Sequence, residues 1–180
     1  MILPLLEKRR SIRRFQPKAV AKETLDQLVE AALRAPSSRN TRPWEFIVVR
    51  ERPMLEKLAA AKEHGSAFLR DAAAAIVVCA DPGKSDVWVE DASIAATLIQ
   101  LAAESLGLGS CWVQIRERPH AAGTPARDYV AGLLGLPAAL QVEAIVALGY
   151  PAEEKAPHAR ESLPWGQAHA ERWGTPWTRG

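Results

Sequence analysis

Between Asp91 and Leu106 the chain places alanine at 92, 95, 96, 102 and 103 and interleaves Ile94, Leu98, Ile99 and Leu101. That spacing predicts a helix apolar around most of its circumference, which has to be buried on more than one side. Its small residues also let a second backbone approach closely, so it is a candidate for a subunit interface as well as for the core. Gly107 follows as its C-terminal cap.

The other elements must pack around that helix. Leu3 to Arg10 reads as a short helix with Pro4 in its first turn. Residues 22–34 form an amphipathic helix, with Leu25, Leu28, Val29, Ala32 and Leu33 at helical spacing and Pro36 ending it. Strands are expected at Trp44 to Val49, Ala75 to Ala80, Ser110 to Ile115 and Val142 to Leu148, and a further helix at Pro53 to Lys62. Thr124-Pro125 reads as a helix start, cap then proline, closed by Gly135. Beyond Gly149, prolines at 151, 157, 164 and 176 and tryptophans at 165, 173 and 177 make a tail with no compact element of its own. Such tryptophans need an apolar surface, on the body or on a partner subunit. Residues 1–150 are therefore expected to be a single domain, with 151–180 an extended tail belonging to it.

Strands and helices alternate, yet no nucleotide fingerprint follows a strand. Gly107-Leu108-Gly109-Ser110-Cys111-Trp112 begins like a dinucleotide loop, but Trp112 replaces its third glycine and the segment precedes a strand. The pattern suits an α+β sandwich better than a doubly wound sheet.

Composition narrows the function. A chain of 180 residues with 48% hydrophobic and 24% charged residues is an ordinary globular one, and a net charge of +2 does not predict nucleic-acid binding. The longest apolar stretch, Ala72 to Ala80, falls well short of the roughly 20 residues of a membrane-spanning helix. Met1 to Leu6 is too short for a signal-peptide core. Cys79 and Cys111 sit in apolar runs and are expected as buried free thiols, which fits a reduced cytoplasm. The histidines at 64, 120, 158 and 169 have no metal-ligand spacing, and His120 and His169 are expected at the surface.

Two segments carry chemistry. The run Lys8-Arg9-Arg10-Ser11-Ile12-Arg13-Arg14-Phe15 gathers guanidinium groups and a hydroxyl at the expected end of the first helix, where Arg9, Arg10 and Arg13 fall within about one turn. Planar guanidiniums donate paired hydrogen bonds to phosphate. The same run also reads as a solvated basic patch or a nonspecific nucleic-acid contact. The loop Pro36-Ser37-Ser38-Arg39-Asn40-Thr41-Arg42-Pro43 puts small polar side chains before a strand, and it reads equally as turn formers. Together the two segments read as a site for a phosphorylated planar cofactor, FMN foremost.

In that order, with the Gly-Leu-Gly-Ser-Cys-Trp run and the Gly149-Tyr150-Pro151 exit, they resemble the nitroreductase family of FMN-dependent oxidoreductases. The resemblance covers nearly the whole chain. It implies an α+β sandwich with a mostly antiparallel central sheet, an intertwined homodimer with FMN at the subunit interface, and a tail wrapping the partner. By the same resemblance Arg9, Arg10 and Ser11 hold the FMN phosphate, and Arg13 lies near the N1/O2 edge of the flavin. There a fixed positive charge favours the reduced ring. Pro36, Ser37, Ser38 and Asn40 reach the flavin from the other subunit, Trp112, Val113 and Gln114 line the ring near N5, and Arg160, with His158, is a second phosphate contact.

The implied activity is ping-pong hydride transfer from NADH or NADPH through flavin N5 to a nitroaromatic, quinone or similar acceptor. No metal, nucleic-acid or membrane partner is implied. The alternatives are a non-catalytic FMN-binding or sensing dimer and relatives that catalyse reductive dehalogenation or flavin fragmentation. Three positions depart from the family pattern. Arg42 stands where Gln is usual, Leu98 where Asn is frequent, and Gln114 where Gly is common. They bear on substrate range.

Overall fold

The computed structural model describes residues 2–178 and 180. Helices α1 (Leu3–Lys8), α2 (Lys22–Leu33), α3 (Arg52–Ala59), α4 (Trp88–Ser105) and α5 (Ala126–Leu134) alternate with strands β1 (Trp44–Val49), β2 (Ala74–Ala80), β3 (Gly109–Gln114) and β4 (Gln141–Gly149). The strands form one sheet in the order β1-β2-β4-β3, and every adjacent pair is antiparallel. This is the expected α+β class.

The sheet is buried on both faces. Ala75, Val77 and Cys79 of β2 point into a cluster with Leu55 and Leu58 of α3 and Val130 of α5. Ala74, Ile76, Val78 and Ala80 point the other way, onto Leu25 and Leu28 of α2 and Ala92, Ala96, Ile99 and Ala103 of α4. The alternation follows from the period-two geometry of a strand. It explains why β2 has no polar residue at any position. Helix α4 also packs Ala95 against Ala35 and Trp44, so it is covered on two sides, while Ile94 stays 41% exposed.

Three local expectations shift. The first helix stops at Lys8, so Arg9 and Arg10 lie outside it. Pro125, not Thr124, occupies the N-cap of α5, and no side chain caps that end. Leu33 is exposed at the end of α2, outside the buried stripe of Leu25, Leu28 and Ala32. Gly107 behaves as expected. At φ +74° it lets Leu108 N–H return to the Ala103 carbonyl and closes α4.

Candidate active site

The basic run is extended, not helical, because its backbone is claimed by β3 and by the residue that follows β4. Ile12 N–H donates to the Ser110 carbonyl at 2.9 Å, and Gln16 N–H donates to the Tyr150 carbonyl at 2.9 Å. Two apolar side chains fix the register. Ile12 and Phe15 are buried against Gly109 and Gly149, which face each other across β3 and β4. A Cβ on Gly109 would lie 2.8 Å from Ile12, and one on Gly149 would lie 2.9 Å from the Phe15 ring. The glycines are seats for these two plugs, and the arginines between and beside them are left facing outward.

The tail then clasps the run from outside. Ala152 N–H donates to the Arg14 carbonyl, and Glu153 Oε1 accepts from the backbone N–H of Arg13 and Arg14 at 2.5 and 3.2 Å. Lys155 Nζ donates to the Ser11 carbonyl, Arg10 to the Ala156 carbonyl, and His158 N–H to the Glu7 carbonyl. The Arg13 N–H above all, with Lys155 beside it, holds the Glu153 carboxyl below the usual carboxylate range.

Among the described residues, none of Arg9, Arg10, Arg13 and Arg14 has a carboxylate side-chain partner for its guanidinium. Four guanidiniums in six positions, none of them in an ion pair among the described residues, make a site chemically matched to an anion. Their field reaches the buried Cys111 thiol. Burial pushes that thiol up, while Arg13, a Ser11 hydrogen bond, Lys155 and Arg9 pull it back. Burial, reinforced by Glu45, pushes the Cys79 thiol up to about 12. Both cysteines are free and buried, as expected.

The loop after α2 is built differently. Its Arg39, Asn40 and Arg42 all have positive φ, at 51°, 56° and 48°, a costly conformation for residues other than glycine. The buried carboxylate of Asp91, in the first turn of α4, ties the loop to the body at Ser38. Oδ1 accepts from Ser38 N–H at 2.8 Å and Oδ2 from the Ser85 hydroxyl at 2.8 Å. Within the loop, Ser37 Oγ accepts from Arg42 N–H at 3.0 Å, and Asn40 Oδ1 from Arg42 Nε at 3.0 Å. Arg39 is paired with Asp86 at 2.6 Å.

At the end of β3, Trp112 Nε1 donates to Gln114 Oε1 at 2.8 Å, and Gln114 Nε2 donates to the Arg116 carbonyl at 3.0 Å. The Gln114 amide is thus spoken for within the chain. Val113 is buried in the core on the opposite face. Beside them Glu143 sits at a bulge in β4, where the pairing with β2 skips a residue. The residue is 3% exposed, and its Oε2 has no hydrogen-bond partner among the described residues. Burial pushes its carboxyl above the usual range. Gln114, Arg116 and Ser93 oppose this, and the like charge of Glu90 adds to it.

The predicted site residues of the run and of the loop lie at opposite ends of the molecule. The run lies at the C-terminal end of α4, where Lys8 pairs with Glu104 at 3.3 Å. The loop lies on Asp91 at the N-terminal end, thirteen residues or about 20 Å of helix away. The sheet agrees: Gly109 and Gly149 mark one end, and Trp44 with Ala80 and Gln141 the other. Trp112 to Gln114, paired with Val146 to Ala144, lie near the middle of the sheet between these two ends. Among the described residues no hydrogen bond or ion pair draws Arg160 to the run; its guanidinium lies 6.0 Å over the Trp165 ring.

Asp91, Glu143, Glu153 and Lys155 are the residues that sequence reasoning passed over. The Glu153-Glu154-Lys155 cluster just after Tyr150-Pro151 was the available signal, as a charge complement to the run. His120 is also a correction. It is half-buried, stacked on Tyr129 at 4.0 Å, with Nδ1 3.2 Å from the Ala61 carbonyl. His169 is likewise half-buried, its ring 4.4 Å from that of Trp173. Among the described residues no acidic, histidine and cysteine group could hold a metal ion, and no helix is long and apolar enough to cross a membrane.

The profile of the nitroreductase family matches residues 6–150. The fold superimposes on an FMN-dependent nitroreductase from Clostridium difficile with a TM-score of 0.92 and 45% identity, over 94% of this chain and 98% of that one. An Archaeoglobus fulgidus protein named "Putative NADH dehydrogenase/NAD(P)H nitroreductase" is 40% identical over 95% of this chain and 98% of its own. An NADH dehydrogenase from Thermus thermophilus is 32% identical over 89% of this chain and 95% of its own. With an extended arginine run seated on paired glycines and a polar loop anchored on the central helix, this chain belongs to the nitroreductase family.

Proposed function

We propose that the protein is an FMN-dependent NAD(P)H oxidoreductase, working as a homodimer in the cytoplasm. The observation that carries this reading is the set of arginines without carboxylate partners around Ser11, at the end of α4 remote from the polar loop. One chain does not bring run and loop together, so a site that uses both draws them from two copies. The exposed tail residues Leu163, Trp173 and Trp177 supply apolar area for a partner subunit to cover.

FMN, when bound, supplies the two-electron chemistry that links NAD(P)H to the acceptor. The chain's own groups bind and polarise. Arg9, Arg10 and Ser11 would hold the phosphate, with Lys155 already on the Ser11 carbonyl and Arg160 as a further tail contact. Arg13 would set a fixed positive charge beside the ring edge where negative charge gathers on reduction. Pro36, Ser37, Ser38 and Asn40 would close the site from the partner, and Trp112, Val113 and Gln114 would line the ring. Reductant and then acceptor, a nitroaromatic or quinone, would occupy one open face in turn.

The test is the visible spectrum of the purified protein, followed by anaerobic addition of NADH and then NADPH. A yellow protein that bleaches with either supports the reading. Bound flavin that stays oxidised with both points to a binding or sensing dimer. A protein that stays colourless after incubation with FMN overturns the cofactor assignment.

A further inference from the structure

The two arginines that flank Asn40 have different surroundings. Arg39 is neutralised by Asp86 at 2.6 Å. Arg42 has no carboxylate partner among the described residues, yet it does not swing freely. Its backbone N–H is held by Ser37 Oγ and its Nε by Asn40 Oδ1, each at 3.0 Å, and its φ of 48° is a conformation the loop imposes. The loop therefore uses one polar side chain, Ser37, to hold the Arg42 backbone and a second, Asn40, to hold its exposed guanidinium. Its terminal NH2 groups make no hydrogen bond or ion pair among the described residues and are available to a ligand.

From this we infer that Arg42 selects acceptors carrying an anionic group, carboxylated or sulfonated nitroaromatics and quinones above all. The inference rests on the reading that the loop closes the site of the partner subunit. A carboxylate at the edge of an aromatic acceptor would meet a preset fork of donors while the reducible group lies over the ring. The reductant's phosphates share that chemistry. The acceptor is the favoured source because the guanidinium stands on the same loop as Ser37 and Asn40, the residues proposed to face the ring.

The experiment compares kcat/KM for 4-nitrobenzoate and 4-nitrobenzamide, close to isosteric and differing in charge, in the wild type, Arg42→Gln and Arg42→Lys. Each substrate's intrinsic ease of reduction cancels in the ratio between variants. The benzoate-to-benzamide ratio should fall about fivefold in Arg42→Gln, as expected for an exposed ion pair, and less in Arg42→Lys. In the wild type it should also fall as salt rises from 20 to 500 mM, since the charge is open to solvent.

An unchanged ratio in Arg42→Gln overturns the inference. So does a rise in the KM for NADH or NADPH with the ratio intact, which would give the cation to the reductant. Flavin content and bleaching by NAD(P)H are measured first on the wild type. A protein that fails there breaks the underlying reading, whereas one that bleaches normally and shows no ratio change breaks only the role of Arg42.

Discussion

The basic run and the polar loop both offer polar groups to a ligand, but they are held by opposite means. The run is spread over many weak points: two apolar plugs on two glycines, strand-like pairing to Ser110 and Tyr150, and a tail that clasps it from outside. The loop, with three residues in a left-handed conformation held by short-range contacts, is tied to the body at Ser38 by one buried carboxylate. A distributed anchor tolerates losing any polar contact, while a concentrated one fails at a single residue.

The largest effect should come from removing a plug. Phe15→Ala should cost about 3–5 kcal/mol in denaturant unfolding and free the run. Gly149→Ala should cost about 1–3 kcal/mol by crowding the ring, and the double variant should cost clearly less than the sum, because the crowded ring is gone. Strict additivity would mean that the glycine is not a seat for Phe15.

Asp91→Ala comes next, at about 2–3 kcal/mol for stranding the buried Ser85 hydroxyl and the half-buried Ser38 N–H. Amide exchange should accelerate at Ser38 and leave Ile12 protected. Equal acceleration at both would erase the contrast between the two anchors.

Glu153→Gln should cost under about 1 kcal/mol at neutral pH. The carboxyl is depressed in the folded state, so its contribution is present above its unfolded value of about 4.3 and lost as pH falls through the folded one. The wild type should lose this increment in acid and the variant should not, as read by Tm between pH 3 and 7. The smallest effect belongs to Glu143, whose carboxyl is raised. Its ionisation opposes folding, so the penalty is absent below about pH 4.3 and grows as pH rises through the folded value. Glu143→Gln should be slightly more stable at neutral pH and indistinguishable in acid.

Sequence reading succeeded where the signal is local. The four strands and the central helix announce themselves by periodicity, and the run and loop by composition. It failed where the partner lies far along the chain. Asp91 holds a residue 53 positions away, and Glu153 holds one 140 positions away, so no window of sequence contains either pair. The helical reading of Arg9 and Arg10 failed for the same reason. Their basic spacing fits a helix end as well as an extended edge, and the carbonyl of Ser110, which decides, is a hundred residues off.

The separation of run and loop along α4 gives the molecule an unusual genetics. If each site takes its run from one copy and its loop from the other, a chain ruined at Arg9 and Arg13 and a chain ruined at Asp91 are each inactive alone. Mixed in one cell, they would form hybrids in which one site collects both lesions and the other collects neither. Two dead alleles would then complement each other, and the activity recovered would track the fraction of hybrid dimers.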